Sequence, residues 1–329
     1  MNASDFSFAR KIGDIIGVPV GDLFIGAIIP GLILVLIFII FIVIVAILRP
    51  QMAPPIPKAE LAHFTRGVMV KQVARALIPP LFLMTAVLGS IMAGVASPTE
   101  AAGVGAVGAM LLTALNRKFN LALLRESMRT TVKLTCMVFI ILCGAAAFGL
   151  VFRGLHGDNL VREFLAGLAD RYSKEMVLAF VMGLIFLIGF FLDFIEIVFI
   201  IVPVLAPIMI EFGFDPLWFC VVLAVNLQTS FLTPPFGFSL FYLKAVTPVG
   251  VTTGHIYRGI IPFVVCQLIG LVIIVFYPSL ATWLPKAVMG AALGTLVNGI
   301  FGIVGMDYSQ FTNLTEYTAL ISGRIYTSL

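Results

Sequence analysis

Charge is what this sequence has least of. Asp, Glu, Lys and Arg make up 11% of the 329 residues, hydrophobic residues 61%, and the mean hydropathy is +1.14. A soluble domain carries roughly 25% charged residues, so a water-soluble enzyme or a nucleic-acid-binding domain is excluded as a description of the whole chain. Tryptophan, histidine and cysteine are also scarce, at 2, 3 and 4 copies. Cys136, Cys143, Cys220 and Cys266 all sit inside apolar stretches, where a thiol behaves as a small hydrophobe, and they form neither a disulfide framework nor zinc spacing. His63, His156 and His255 lie far apart in polar connections, so no structural metal is expected. No Gly-rich phosphate loop followed by Lys and a hydroxyl residue occurs, which excludes ATP hydrolysis by this chain. Gly103-Val104-Gly105-Ala106-Val107-Gly108 matches a dinucleotide fingerprint, but without a βαβ context its small residues suit close approach of membrane helices instead. Neither an enzymatic function nor a cofactor is expected.

What the chain has in abundance is long apolar runs. Residues 23–48, 76–99, 101–116, 134–152, 176–192, 216–243 and 259–285 are free of Asp, Glu, Lys and Arg. Several reach the ~20 residues that a helix needs to cross roughly 30 Å of hydrocarbon. The first is too long and begins too far from Met1 to be a cleavable signal peptide. The expected fold is an all-α polytopic membrane protein with one membrane domain. The connection 49–75 carries Arg49, Lys58, Arg66, Lys71 and Arg75 together with Pro54-Pro55-Ile56-Pro57, which predicts an extended cytoplasmic linker. The connection 117–133 carries Arg117, Lys118, Arg125, Arg129 and Lys133 and is placed on the same side. Residues 76–116 must then cross twice, with a turn near 94–98. Residues 134–152 lead to the outer side. In the connection 153–175, Leu160, Phe164, Leu165 and Leu168 recur at helical spacing, predicting an amphipathic helix at the interface. Residues 259–285 read as a last span with Tyr277 and Trp283 at its surface end, and 286–329 as one more Gly-rich apolar run with a polar tail.

Two segments break the pattern of simple spans. Residues 176–192 and 197–210 flank Asp193 and Glu196 and are each short for a crossing. A re-entrant hairpin over about 176–213 with its tip at 189–193 accounts for both lengths; two ordinary spans meeting at Asp193 are the alternative. Carboxylates inside a membrane region cost about 2.5–3.5 kcal/mol or more, which marks Asp193 as a candidate site residue, whereas Glu196 also suits a snorkelling position. Residues 216–247 are interrupted by Thr233-Pro234-Pro235-Phe236-Gly237. The two prolines lack N–H groups and obstruct the preceding turn, so the helix is expected to come apart there. Backbone groups released in this way persist where they are buried or line a cavity, and free carbonyls are ready cation ligands. Asn226, Gln228, Thr229, Ser230 and Thr233 add polar side chains ahead of the break. A purely structural kink is the bland reading.

A third constellation is Ser97-Pro98-Thr99-Glu100. Ser97 is placed to cap a helix with Pro98 at its first position and Glu100 in its first turn, a structural use that competes with a functional one.

At these residues the chain resembles the large membrane subunit (DctM-like) of tripartite ATP-independent periplasmic (TRAP) transporters. The similarity is carried by Val20-Gly21-Asp22-Leu23-Phe24 with Pro30-Gly31, by Gly94 to Ala102 around Ser97, and by Gly189-Phe190-Phe191-Leu192-Asp193-Phe194-Ile195-Glu196. It continues through Asn226-Leu227-Gln228-Thr229-Ser230-Phe231-Leu232-Thr233-Pro234-Pro235-Phe236-Gly237-Phe238 and Tyr257-Arg258-Gly259-Ile260-Ile261-Pro262-Phe263. The wording around Asp193 and Asn226 is similar to the branch labelled mannitol/chloroaromatic. The resemblance implies a sodium-driven elevator in the bacterial cytoplasmic (inner) membrane. It would take an organic acid anion from a periplasmic substrate-binding protein, working with a small TRAP membrane subunit. It also implies two inverted repeats, each with a hairpin and a broken helix; only the second is recognisable here, within 20–285. Residues 1–19 and 286–329 read as atypical ends, so the chain is expected to be the C-terminal half of such a subunit, with a missing N-terminal half as a possible partner. By this resemblance Gly189, Asp193, Asn226, Gln228, Thr229, Thr233, Pro234, Pro235 and Gly237 would form a sodium and substrate site, with Ser97, Thr99, Glu100 and Glu196 in supporting positions. A non-transporting membrane fragment and a cation-coupled antiporter are the alternative functions.

Overall fold

The computed structural model of the chain describes residues 17–51, 66–233, 240, 243, 244, 247 and 251–288. Among them there are helices and no strand. The chain divides into two units, 1–282 and 283–329. The described residues of the second, 283–288, are helical, and helices α1 to α10 with their core belong to the first.

Helix α1 (Val20–Leu48) is apolar around its whole circumference and buries only Ile25, Gly26, Pro30 and Leu34. Helices α2 (Arg66–Met92) and α3 (Pro98–Leu115) pack on each other, joined by a turn in which Gly94 takes φ +67°. That left-handed conformation is open to glycine at no steric cost, and the turn falls where the sequence predicts it. Pro79 and Pro80 both lie inside α2, which continues through them. Adjacent prolines alone therefore do not end a helix here.

Helix α4 (Leu121–Gly154) corrects the expected loop at 117–133. Arg125, Arg129 and Lys133 are on the helix, which starts where the Asn120 side chain accepts the N–H of Ala122 at 3.0 Å. Residues 121–133 contain no Gly or Pro to stop it, and Arg, Leu, Lys and Met favour helix. Charge there marks where the apolar run begins, not where helical structure begins. Arg66, Lys71 and Arg75 belong to α2 for the same reason.

Helix α5 (Gly157–Arg171) is the expected amphipathic helix, and only part of its apolar side faces protein. Leu165 is buried, with Val161, Leu168 and Ala169 packed against the core, while Leu160 and Phe164 are exposed. Helix α6 (Lys174–Ile188) follows, capped by Ser173. After a non-helical stretch come the single turn α7 (Phe194–Glu196), a π-turn (Ile197–Ile201) and α8 (Val202–Glu211). The π-turn, in which the N–H of Val202 reaches Ile197 O, lies directly ahead of Pro203. Widening the helix at that point relieves the crowding of the proline ring on the preceding turn.

Helix α9 (Pro216–Leu232) starts at Asp215, whose Oδ1 accepts the N–H of Trp218 at 2.9 Å. Helix α10 (Thr253–Phe276) ends at Tyr277, just before Pro278, so the last span stops short of the predicted residue 285.

Among the described residues, six helical segments are long and apolar enough to cross a membrane: Val20–Leu48, Val70–Met92, Pro98–Leu115, Leu121–Gly154, Phe194–Glu211 and Thr253–Phe276. The core lies among α6, the π-turn, α8, α9 and α10, where Val177, Val181, Ile197, Met209, Val222, Leu223 and Ile274 are buried. Leu32, Phe82 and Ile140 are exposed on α1, α2 and α4, where lipid tails supply an apolar neighbour. The chain is an all-α polytopic membrane protein.

Candidate functional site

The break between α6 and α7 opens at Gly189, which is buried and whose N–H bonds back to Ile185 O at 2.9 Å. Phe190, Phe191 and Leu192 turn on short backbone bonds to Leu187 and Ile188. Asp193 then caps α7, its Oδ1 accepting the N–H of Phe194 at 2.8 Å while its carbonyl accepts the N–H of Ile197. A carboxylate is favoured there by the open N–H groups of a helix start. The next ring, Phe194, meets Phe231 of α9 with centroids 5.6 Å apart. The half-buried Asp193 is thereby carried to the end of α9. Glu196, also half-buried, closes α7.

On α9 the polar residues separate by helical position. Asn226, Thr229 and Thr233 stand at i, i+3 and i+7, on one stripe. Asn226 and Thr229 are 1% and 0% exposed, Thr233 is half-buried, and Gln228 is exposed on the other side. The Asn226 amide donates to Met182 O of α6 at 2.9 Å, while its Oδ1 is buried without a hydrogen-bond partner. The Thr229 hydroxyl donates to Val225 O at 3.2 Å and the Thr233 hydroxyl to Thr229 O at 2.7 Å. The helix ends at Leu232, with Thr233 in a bend. Pro234, Pro235 and Gly237 lie outside the described residues.

Gln267 of α10 is a residue that sequence reasoning does not single out. It is 0% exposed, its amide donates to the same Val225 O at 3.3 Å, and its Oε1 is buried without a hydrogen-bond partner. The signal that could have found it is its position as the one amide side chain in the charge-free run 259–285. Trp218 gives α9 and α10 a second tie, its Nε1 donating to Ile274 O at 3.0 Å.

Ser97 and Glu100 form a reciprocal capping box on α3. The N–H of Ser97 donates to Glu100 Oε2 at 2.7 Å, and the N–H of Glu100 to Ser97 Oγ at 3.4 Å. Ser97, Thr99 and Glu100 are exposed, and α3 packs on α2. The capping use predicted for Ser97 and Glu100 is the one the structure shows.

An interrupted helix that carries a carboxylate, set against the polar end of another membrane helix, is a feature that secondary transporters use at their ion and substrate sites. Residues 3–280 match the family described as "Tripartite ATP-independent periplasmic transporter, DctM component". The chain is 31% identical over 269 residues to the C4-dicarboxylate TRAP transporter large permease protein DctM of Pseudomonas aeruginosa, covering 81% of this chain and 60% of that protein. It is 29% identical over 293 residues to the ectoine/5-hydroxyectoine TRAP transporter large permease protein UehC of Ruegeria pomeroyi, covering 86% and 65%. With the sialic acid TRAP transporter permease protein SiaT of Haemophilus influenzae it shares 28% identity over 273 residues, covering 81% and 42%. The chain belongs to the DctM family of TRAP transporter large permeases. The family is one of transporter permeases rather than enzymes, and the chain is a multi-pass protein of the bacterial inner membrane. It spans 60%, 65% and 42% of the lengths of these three relatives.

Proposed function

We propose that the chain contributes to sodium-coupled uptake of a small organic acid anion, as the C-terminal half of a TRAP large permease subunit. In this reading about 176–213 is a re-entrant hairpin and about 216–247 a broken helix. Together they form the second repeat of an elevator transporter. The observation that carries it is the Phe194–Phe231 contact, which holds the break at Asp193 against the end of α9. Sodium would be held between the hairpin tip, from Gly189 to Asp193, and the carbonyls released near Thr233, Pro234, Pro235 and Gly237. Asn226 and Thr229 support that end from the core side, and Gln228 is left facing outward for substrate or a partner. Ser97, Thr99, Glu100 and Glu196 act in supporting positions. A small membrane subunit and a periplasmic substrate-binding protein complete the system, as the names of the relatives suggest. The named cargoes of those relatives are C4-dicarboxylate, sialic acid and ectoine; an organic acid is favoured here because helix N-termini such as that at Asp193 attract anionic groups once a cation neutralises the carboxylate.

The test is uptake of succinate and of a sialic acid into proteoliposomes holding the chain, the small subunit, the binding protein and an N-terminal half. Accumulation driven by an inward sodium gradient and lost when potassium replaces sodium is the expected result. Equal uptake in potassium would refute the coupling, pH-driven flux without a binding protein would favour an antiporter, and no flux in any combination would favour a non-transporting fragment.

A further inference from the structure

A buried amide in the middle of a membrane helix is costly, and more so when it is half satisfied. An amide or hydroxyl taken from water without full hydrogen bonding costs about 1–3 kcal/mol, and buried polar side chains in native proteins are normally paired. Gln267 violates this: it is fully buried, makes one long bond to Val225 O, and leaves Oε1 without a hydrogen-bond partner. A Leu or Met of similar volume would pack there without the penalty, so stability does not account for the residue.

What Gln267 touches gives it a use. Val225 O receives both the Gln267 amide and the Thr229 hydroxyl, and Thr229 O in turn receives the Thr233 hydroxyl. Side-chain donors on carbonyls one turn apart compete with the N–H groups of the helical ladder and bend or loosen it. The chain of contacts runs from α10, through Val225 and Thr229, to Thr233, the residue at which α9 gives way to a bend. On the opposite flank Asn226 is tied to Met182 of α6. The last two turns of α9 are thus held between α6 and α10 by amides, not by apolar packing alone.

We propose that Gln267 is a positioning residue: through Val225 and Thr229 it sets where α9 ends, and so the geometry of the cation site at Thr233. The cation site itself rests on the proposed transport function. The hydrogen-bonded control of the helix end stands on this chain alone.

The experiment uses the full chain in lipid nanodiscs, with wild type, Gln267→Met, Thr229→Val and the double variant. Two readouts are taken: the sodium concentration giving half of the sodium-specific thermal shift, with potassium as control, and amide hydrogen exchange along α9 in potassium. Gln267→Met is expected to melt no lower than wild type in potassium. Its half-saturating sodium should rise by about fivefold, the factor carried by one ordinary hydrogen bond. Exchange over 229–233 should accelerate while exchange in α6 is unchanged. The double variant should fall short of the product of the single effects, because both donors act on one carbonyl. An unchanged sodium midpoint with unchanged exchange overturns the inference, as does a lowered melting temperature with exchange accelerated uniformly. If wild type shows no sodium-specific shift, the sodium reading has failed. The inference then stands on acceleration confined to 229–233 and falls without it.

Discussion

Phe194, the residue after Asp193, and Phe231, two residues before Thr233, face each other with ring centroids 5.6 Å apart and planes inclined at 57°. This contact joins the break ahead of α7 to the end of α9, across 37 positions of sequence, counting from 194 to 231. An aromatic pair in such a geometry contributes about 0.5–1.5 kcal/mol beyond its area. A double-mutant cycle with Phe194→Ala and Phe231→Ala, read by thermal unfolding of the purified chain, should return a coupling of that size. Additivity of the two losses would mean that the break is not held to α9 by these rings.

Asp193→Asn separates charge from capping. Asn caps a helix start about as well as Asp, so the melting temperature without sodium should hardly change. A carboxylate that faces the coupling ion contributes more than a neutral amide does, and half-saturating sodium for uptake should rise by roughly tenfold or more. A sodium titration of uptake decides it: an unaltered midpoint removes Asp193 from the site. Thr233→Ala is expected to shift the same midpoint in the same direction by a smaller factor.

Trp218→Phe keeps the buried ring and deletes the donor to Ile274 O. The loss should be about 1–2 kcal/mol, because a buried carbonyl forfeits a partner. Chemical unfolding in mixed micelles measures it, and a much smaller change would show that this bond does not tie α9 to α10 in the membrane.

Gly270 lies where α10 meets α1, and a Cβ there would run into the Leu34 side chain. Gly183 has nothing within 4 Å of the same position. Gly270→Val should therefore destabilise by about 1–3 kcal/mol through overpacking, while Gly183→Ala should be neutral or slightly stabilising through helix propensity. Equal melting temperatures for the two variants would show that α1 does not approach α10 closely in the membrane.

Several expectations from sequence survive because the physics behind them is local. A tight turn at Gly94, a cap at Ser97, an interruption at Asp193 and a helix end at Thr233 each follow from a few neighbouring residues. Helix limits are less legible where charge resembles loop, as at Arg125 and Arg129 on α4, since Lys and Arg favour helix as much as they favour water.

The sequence by itself determined that this chain lives in a membrane, where several of its crossing runs lie, that helical structure is interrupted ahead of Asp193, and that it belongs among TRAP large permeases. Only the tertiary structure decided which sides of those helices are interior. Asn226 and Thr229 are buried while Gln228 is exposed, Leu165 packs while Leu160 does not, and Gln267 reaches across to Val225. The reason is that lipid and protein interior are both apolar, so the polar-out, apolar-in alternation that reveals the buried face of a soluble helix is absent. Polar residues then become the informative ones, and their partners, 44 positions away for Asn226 and Met182 and 42 for Gln267 and Val225, are set by how the helices pack.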